Sequence, residues 1–350
     1  PWAVMAALAA QRLGRPVKLV LSRHDDMRFT GKRHPYSSDF KLGLKADGTI
    51  IAYEVRMWQN AGAAADLSPA ILERSLFHAT NSYLVPNARI RAASCRTNLP
   101  PFTAFRGFGA PQAMFVMEAA IDRAAAVTGI PRAEIQAKNL LAEGDLFPYG
   151  MRVERTQARR SFHEVCELAG LEELLGKTAD HNASNALVKR GVAVMPVCFG
   201  ISFTNAMLNQ AGALVHVYTD GSVSVSTGAV EMGQGVTAKI LAVASRTLGV
   251  DPGRVRVEST STLRVANASP TAASTGADMN GKATEMACHA ILARLREVAA
   301  DRLGCEPEGV TFAGDRVVVE GRPTDLAWPE LIWLAYTRRV DLSAHAHYAT

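Results

Sequence analysis

The chain has 350 residues, of which 48% are hydrophobic and 20% charged, and it carries a net charge of +5. That composition excludes a disordered chain, and the length suits about two domains. Lysine and arginine are scattered, with no run that would mark a nucleic-acid face, so the mild basicity reads as a mildly basic surface or an anionic ligand. The five cysteines (Cys95, Cys166, Cys198, Cys288 and Cys305) are odd in number and show no CxxC spacing. They point to no disulfide framework, zinc site or iron–sulfur cluster within the chain, and they fit a reducing cytoplasm.

In chain order, residues 2–13 read as a buried helix stopped by Gly14 and Pro16. The run is far short of the ~20 residues that span a bilayer and lacks the basic start of a signal peptide, so no membrane association is expected. An opening at Pro1, inside a helical run, points to a natural chain extending upstream. Residues 17–21 read as a strand. Residues 40–45 and 49–57 flank Asp47-Gly48, a hairpin signal, because both turn positions need positive φ. Residues 112–127 form an amphipathic helix ended by Gly129 and Pro131, and residues 162–175 another. The polar stretch 177–185 breaks the pattern and divides the chain into domains 1–180 and 181–350. In the second domain, residues 192–197 and 213–219 read as strands, with Asp220-Gly221 turning the latter into 222–226. A helix over 236–248, a strand over 255–258, a long helix over 279–303, a small hairpin over 310–319 and a helix over 328–337 follow. The order is α+β, with two related mixed-sheet subdomains.

Four segments carry candidate chemistry. Gly276-Ala-Asp-Met-Asn-Gly281-Lys282-Ala283 nearly matches a phosphate-binding loop but has Ala283 where magnesium needs a hydroxyl, so Gly281 reads more simply as a residue near a helix start. Glu231-Met-Gly-Gln-Gly235 lies between a strand and a helix. It serves equally as a tight turn or as a loop whose glycines and free helix N–H groups approach an anion. Thr103-Ala-Phe-Arg106-Gly-Phe108-Gly109-Ala-Pro-Gln112 embeds an arginine and two phenylalanines in a glycine-flanked loop, either a site or a helix lead-in. Ser269-Pro-Thr-Ala-Ala273-Ser274-Thr-Gly276 is a linker or a set of closely spaced donors. His24, His34 and His78 lack ligand spacing, and no serine-hydrolase elbow occurs.

The segments 103–112, 231–235 and 269–274 together resemble the xanthine dehydrogenase and aldehyde oxidase family of molybdenum hydroxylases. The match adds Ile71-Leu-Glu-Arg74-Ser-Leu-Phe-His78, Phe199-Gly-Ile-Ser-Phe203-Thr204, Leu208-Asn-Gln-Ala-Gly-Ala-Leu214, Gly31-Lys-Arg-His-Pro35, Asn60-Ala-Gly62 and Glu143-Gly-Asp145, in order and nearly throughout the chain. The resemblance implies a molybdopterin cofactor whose molybdenum is not ligated by side chains. Arg106 would sit at the metal, Ala273 and Ser274 would cradle metal and cofactor through backbone groups, and Met232, Gly233 and Gln234 would contact the pterin. Phe108 and Phe203 would sandwich a flat purine, with Arg74 and Thr204 at its polar edge. The implied reaction is hydroxylation of hypoxanthine and xanthine toward urate. A glutamate acts as base, and Arg74 stabilises the negative charge that develops on the ring. Arg74 also favours the purine branch, since aldehyde oxidases generally lack that arginine. Electrons would pass to 2Fe-2S clusters and FAD on another domain or subunit of an oligomeric enzyme.

The sequence also departs from the family. A glycine-rich Phe-Gly-Gly-Lys segment with a substrate-binding glutamate, and a glutamine that supports the metal site, would fall before Pro1. The catalytic glutamate belongs to a Gly-Glu-Pro segment near the family's C-terminus. Glu306-Pro307 follows Cys305 in another context, and Gly276 stands where relatives can carry serine. Two rival readings follow, an aldehyde or N-heterocycle oxidase and a catalytically inactive fragment without cofactor.

Overall fold

The computed structural model describes residues 2–350. Two compact units divide the chain, the first ending at Gly200 and the second beginning at Ile201. The first contains α1 (Trp2–Leu13), α2 (Arg23–Phe29), β1 (Tyr36–Leu44), β2 (Ile50–Gly62), α3 (Ser68–Phe77), β3 (Ala88–Arg96), α4 (Ala110–Thr128), α5 (Arg132–Asn139), α6 (Ala158–Ala169) and α7 (Leu171–Ser184). The second contains β4 (Gln210–Val217), β5 (Val223–Thr227), α8 (Val236–Leu248), β6 (Val255–Val257), α9 (Gly276–Leu303), β7 (Val310–Ala313), β8 (Arg316–Val319), β9 (Arg322–Ala327), α10 (Trp328–Thr337) and β10 (Ser343–Ala349).

Each unit is built by the same sequence of moves. Gly48 takes φ 82° and donates to Lys45 O at 3.0 Å, so β1 turns antiparallel into β2. Alternation along β2 buries Tyr53, Val55 and Met57, which share one core with Ala113, Met117, Ala120, Ile121 and Ala124 of α4. Helix α3 then returns the chain so that β3 lies parallel to β2. In the second unit, Gly221 has the same φ of 82° and β4 turns antiparallel into β5. Helix α8 returns the chain, and β6 lies parallel to β5. Ile240, Ala244 and Leu248 of α8 pack with Ile291 and Leu295 of α9 over Val223 and Val225. Strand β10 adds antiparallel to β4, and β7, β8 and β9 form a separate three-stranded sheet. The α+β class and the two mixed sheets are therefore as the sequence implied.

This topology decides where the singled-out segments lie. Loops leaving the carboxyl ends of parallel strands are where such sheets hold ligands. Residues 97–109 leave β3, 228–235 leave β5 and 258–275 leave β6.

Several expectations are corrected. Residues 17–21 form no strand, since no neighbouring chain pairs with them. Helix α1 exists but buries no residue. The polar stretch 177–185 is mostly helix α7, and Gly170 at φ 57° splits the helix expected over 162–175. Residues 192–197 form no strand, for a reason that belongs to the site.

Candidate active site

In the first unit the candidate site is organised around α3. Arg74 is 8% exposed, and its Nη1 donates to Gly200 O at 2.7 Å. The guanidinium lies 6.0 Å from the Phe199 ring centre. Burial lowers its pKa, while the nearby Glu73 opposes that shift. The loop bearing Arg106 and Phe108 is clamped to the same helix. Residues 107, 108 and 109 have φ 95°, 48° and 98°, three left-handed residues in succession, with the strained non-glycine Phe108 between two glycines. Ser75, next to Arg74, donates through Oγ to Gly109 O at 3.0 Å and exchanges a 2.8 Å hydrogen bond with the Tyr36 hydroxyl. Arg33 donates to Arg106 O at 2.6 Å and lies over the Phe105 ring at 4.3 Å. Arg106 itself is exposed and Phe108 half-buried.

The segment leading to Gly200 explains the missing strand. Its exposure alternates from residue 192 to 198 as a strand's would, but side chains replace the backbone ladder. Gln136 Nε2 donates to Val194 O at 3.0 Å. Asn81 Nδ2 donates to Pro196 O at 2.8 Å, and its Oδ1 accepts the Cys198 N–H at 3.2 Å. His78 Nε2 accepts the Gly200 N–H at 2.9 Å, while Nδ1 bonds Arg74 O at 2.8 Å. Behind them sits Glu118, 5% exposed, accepting from Asn81 at 3.0 Å, Tyr83 at 2.7 Å, Arg132 at 2.9 Å and Gln136 at 2.8 Å. Burial, with the Glu118 charge, pushes the Tyr83 phenol up. These bonds satisfy the Glu118 carboxylate, while Gln136 Oε1 and Arg132 Nε lie buried without a hydrogen-bond partner among the described residues.

In the second unit, three expected segments meet at the loop before α9. Ser202 donates its N–H to Ala273 O at 3.0 Å, and Val230 donates its N–H to Thr271 Oγ1 at 2.9 Å. Phe203, half-buried, is closed into a loop by Asn209, which accepts its N–H at 2.9 Å and donates to its carbonyl at 3.0 Å. Thr204 is exposed. Ala273 and Ser274 are consecutive left-handed residues, φ 54° and 59°. That conformation costs about 1 kcal/mol or more each and clusters at binding sites. Their N–H groups donate to nothing among the described residues.

The Glu231 loop corrects one reading. Not every N–H group leading into α8 is a free donor. Glu231 accepts the N–H groups of Gly233 at 2.9 Å, Gly235 at 3.0 Å and Thr237 at 3.0 Å. The Thr237 and Gly235 bonds, the largest causes, hold its pKa down to about 2. The carboxylate therefore fills that place at any ordinary pH. Gln234 folds back, donating to Val230 O at 2.8 Å and accepting the Met232 N–H at 2.6 Å, while Met232 is 66% exposed.

A cavity of about 720 Å³ lined by Lys41, Tyr53, Glu54, Asn87, Arg89 and Pro148, among others, contains none of the expected site residues. Among the described residues no cluster of His, Cys, Asp or Glu could hold a metal ion, and no helix is long and apolar enough to cross a membrane. His34 is buried against Ser68 Oγ at 2.7 Å, away from His78.

Residues 1–140 and 164–350 each match the family model of the molybdopterin cofactor-binding domain. The chain belongs to that family. It is 41% identical over 344 residues to a xanthine dehydrogenase/oxidase of Mus musculus, covering 98% of this chain and 24% of the relative. It is 39% identical over 349 residues to a xanthine dehydrogenase of Oryza sativa subsp. japonica, again spanning 24% of it. The chain therefore spans about a quarter of the length of these curated relatives. The fold is shared with quinoline 2-oxidoreductase from Pseudomonas putida 86, at a TM-score of 0.86 and 21% identity over 99% of this chain and 47% of that one. It is also shared with an aldehyde oxidoreductase from Desulfovibrio desulfuricans ATCC 27774, at 0.79 and 22% over 99% and 35%.

The residues present fit the cofactor this family is named for. The strained, unengaged N–H groups of Ala273 and Ser274 are a ready cradle for an anionic group. Sequence reasoning missed the grip of His78 on Gly200. Its signal was the i, i+4 spacing from Arg74 on one helix face, which a search for metal ligands passed over.

Proposed function

We propose that the complete protein carrying this chain hydroxylates hypoxanthine and xanthine toward urate at a molybdenum–pterin centre. The observation that carries the purine reading is Arg74, an almost buried guanidinium held by a backbone carbonyl on a rigid helix. Ordering and burying a guanidinium is costly, and it is worthwhile where charge develops on a substrate. Such a donor is worth ~10²–10³ in rate when its target becomes negative in the transition state. The ~40% identity to xanthine dehydrogenases supports the same reading.

When bound, the cofactor supplies the oxidising centre that ring hydroxylation requires. Arg106, Met232, Gly233, Gln234, Ala273 and Ser274 are the residues proposed to hold it, the last two through their N–H groups. Arg74 and Thr204 are proposed to bond the purine's polar edge, and Phe108 and Phe203 to contact its flat faces. The general base is proposed to be a glutamate outside these 350 residues, and 2Fe-2S and FAD groups elsewhere in an oligomeric enzyme to take the electrons. The test is the purified complete protein, assayed for molybdenum and pterin content and for urate from xanthine. About one molybdenum per chain with xanthine turnover supports the proposal. Turnover of aldehydes or N-heterocycles but not xanthine would replace it with the oxidase reading, and absence of metal and pterin would replace it with a non-catalytic one.

A further inference from the structure

We propose that His78 is a positioning residue that fixes the backbone of Gly200 and, through its carbonyl, the direction of the Arg74 guanidinium. The inference rests on the reading of Arg74 as the purine-bonding residue. The geometry is a closed clasp. Gly200 gives its N–H to His78 Nε2 at 2.9 Å, and its carbonyl takes Arg74 Nη1 at 2.7 Å. His78 Nδ1 closes the ring on Arg74 O at 2.8 Å. Because Nε2 accepts a backbone N–H it carries no proton, so Nδ1 is the donor and the imidazole is neutral and fixed in tautomer. The Phe199 ring lies 5.2 Å from the imidazole and 6.0 Å from the guanidinium, covering both. A Cβ on Gly200 would lie 3.3 Å from Arg74 Nη1 and 3.6 Å from His78 Nε2, so both side chains close on the glycine. Arg74 is therefore aimed by the carbonyl of a residue whose own N–H is held by His78. A free arginine would spread over many rotamers, and the clasp removes that freedom before substrate arrives.

The experiment compares His78→Asn with His78→Gln in the complete, cofactor-loaded protein. Asparagine keeps the donor to Arg74 O but does not reach Gly200, whereas glutamine can place Oε1 near the position of Nε2. His78→Asn is expected to lower kcat/KM for xanthine about tenfold, the loss of roughly one hydrogen bond. His78→Gln should recover most of that loss, and neither variant should change kcat/KM for an aromatic aldehyde more than about twofold. Amide hydrogen exchange at Gly200 should be faster in His78→Asn than in wild type or His78→Gln. Equal losses in both variants, or an aldehyde loss in step with xanthine, would overturn the proposal and leave His78 a packing residue. If the wild type fails to oxidise xanthine, the proposed function falls first. Gly200 exchange then still decides the clasp, and unchanged exchange in His78→Asn refutes it.

Discussion

Replacing Gly109 by alanine is predicted to destabilise the first unit by about 4 kcal/mol, and the contributions can be separated. Gly109 has φ 98°, and an added Cβ would lie 2.2 Å from Ile71 O and 2.6 Å from Ser75 Oγ. A left-handed alanine costs about 1–2 kcal/mol from its backbone alone. The clash is with the backbone of α3, which cannot rotate away, and overpacking of that kind costs about 1–3 kcal/mol. Moving the loop also breaks the bond from Ser75 Oγ to Gly109 O, worth about 1 kcal/mol net. Gly129→Ala is the control, with φ 76° and nothing within 4 Å of its added Cβ. It carries the conformational cost without the clash, about 1 kcal/mol. Urea unfolding of both variants should therefore differ by about 3 kcal/mol, or roughly 10 °C in Tm for a unit of this size. Because Phe108 precedes Gly109, the same variant should raise KM for flat substrates in the complete protein. Equal destabilisation by the two substitutions would refute the claim that the loop is clamped to α3.

The isolated 350-residue chain is predicted not to form urate at a rate normal for this class, because the family resemblance implies that both active-site glutamates belong to segments other than these; general-base help alone is commonly worth ~10²–10⁴. Normal urate formation by the isolated chain would defeat that prediction. Stability should fall as pH drops below about 6.5, the ordinary histidine value, because burial lowers the His78 pKa and the unfolded chain takes up a proton that the folded clasp refuses. The effect is absent above pH 7 and levels off below the lowered pKa. Denaturation at pH 7.5 and 5.5 should show a smaller pH difference for His78→Gln than for wild type, and identical differences would contradict it.

Much of the scaffold was legible because it rests on local signals. Asp47-Gly48 and Asp220-Gly221 marked both hairpins, and apolar periodicity gave α8 and α10. Strand β3, with its exposed arginines, and the histidine-rich β10 escaped, since their pairing is decided by tertiary neighbours. Residues 192–197 carry the alternation of a strand yet bond to Asn81 and Gln136 side chains, which no pattern along one segment can reveal. The candidate site residues came from the family resemblance, and the structure adds local geometry for some of them. Left-handed Ala273 and Ser274 and the clamped Phe108 are strained positions that composition does not disclose. Glu231 shows the opposite case, in which a loop that reads equally as a tight turn or an anion site has N–H groups taken by the chain's own carboxylate.

The most direct test of the account is Arg74→Met in the complete enzyme, with kcat/KM measured for xanthine and for an aromatic aldehyde. A purine gathers negative charge along an edge that a guanidinium can bond with two donors, whereas an aldehyde offers no such distant edge. Loss of the arginine should therefore lower xanthine turnover by ~10²–10³, mainly in kcat, and leave the aldehyde within a few-fold of wild type. Equal losses for the two substrates would make Arg74 a structural residue and remove the main support for purine hydroxylation.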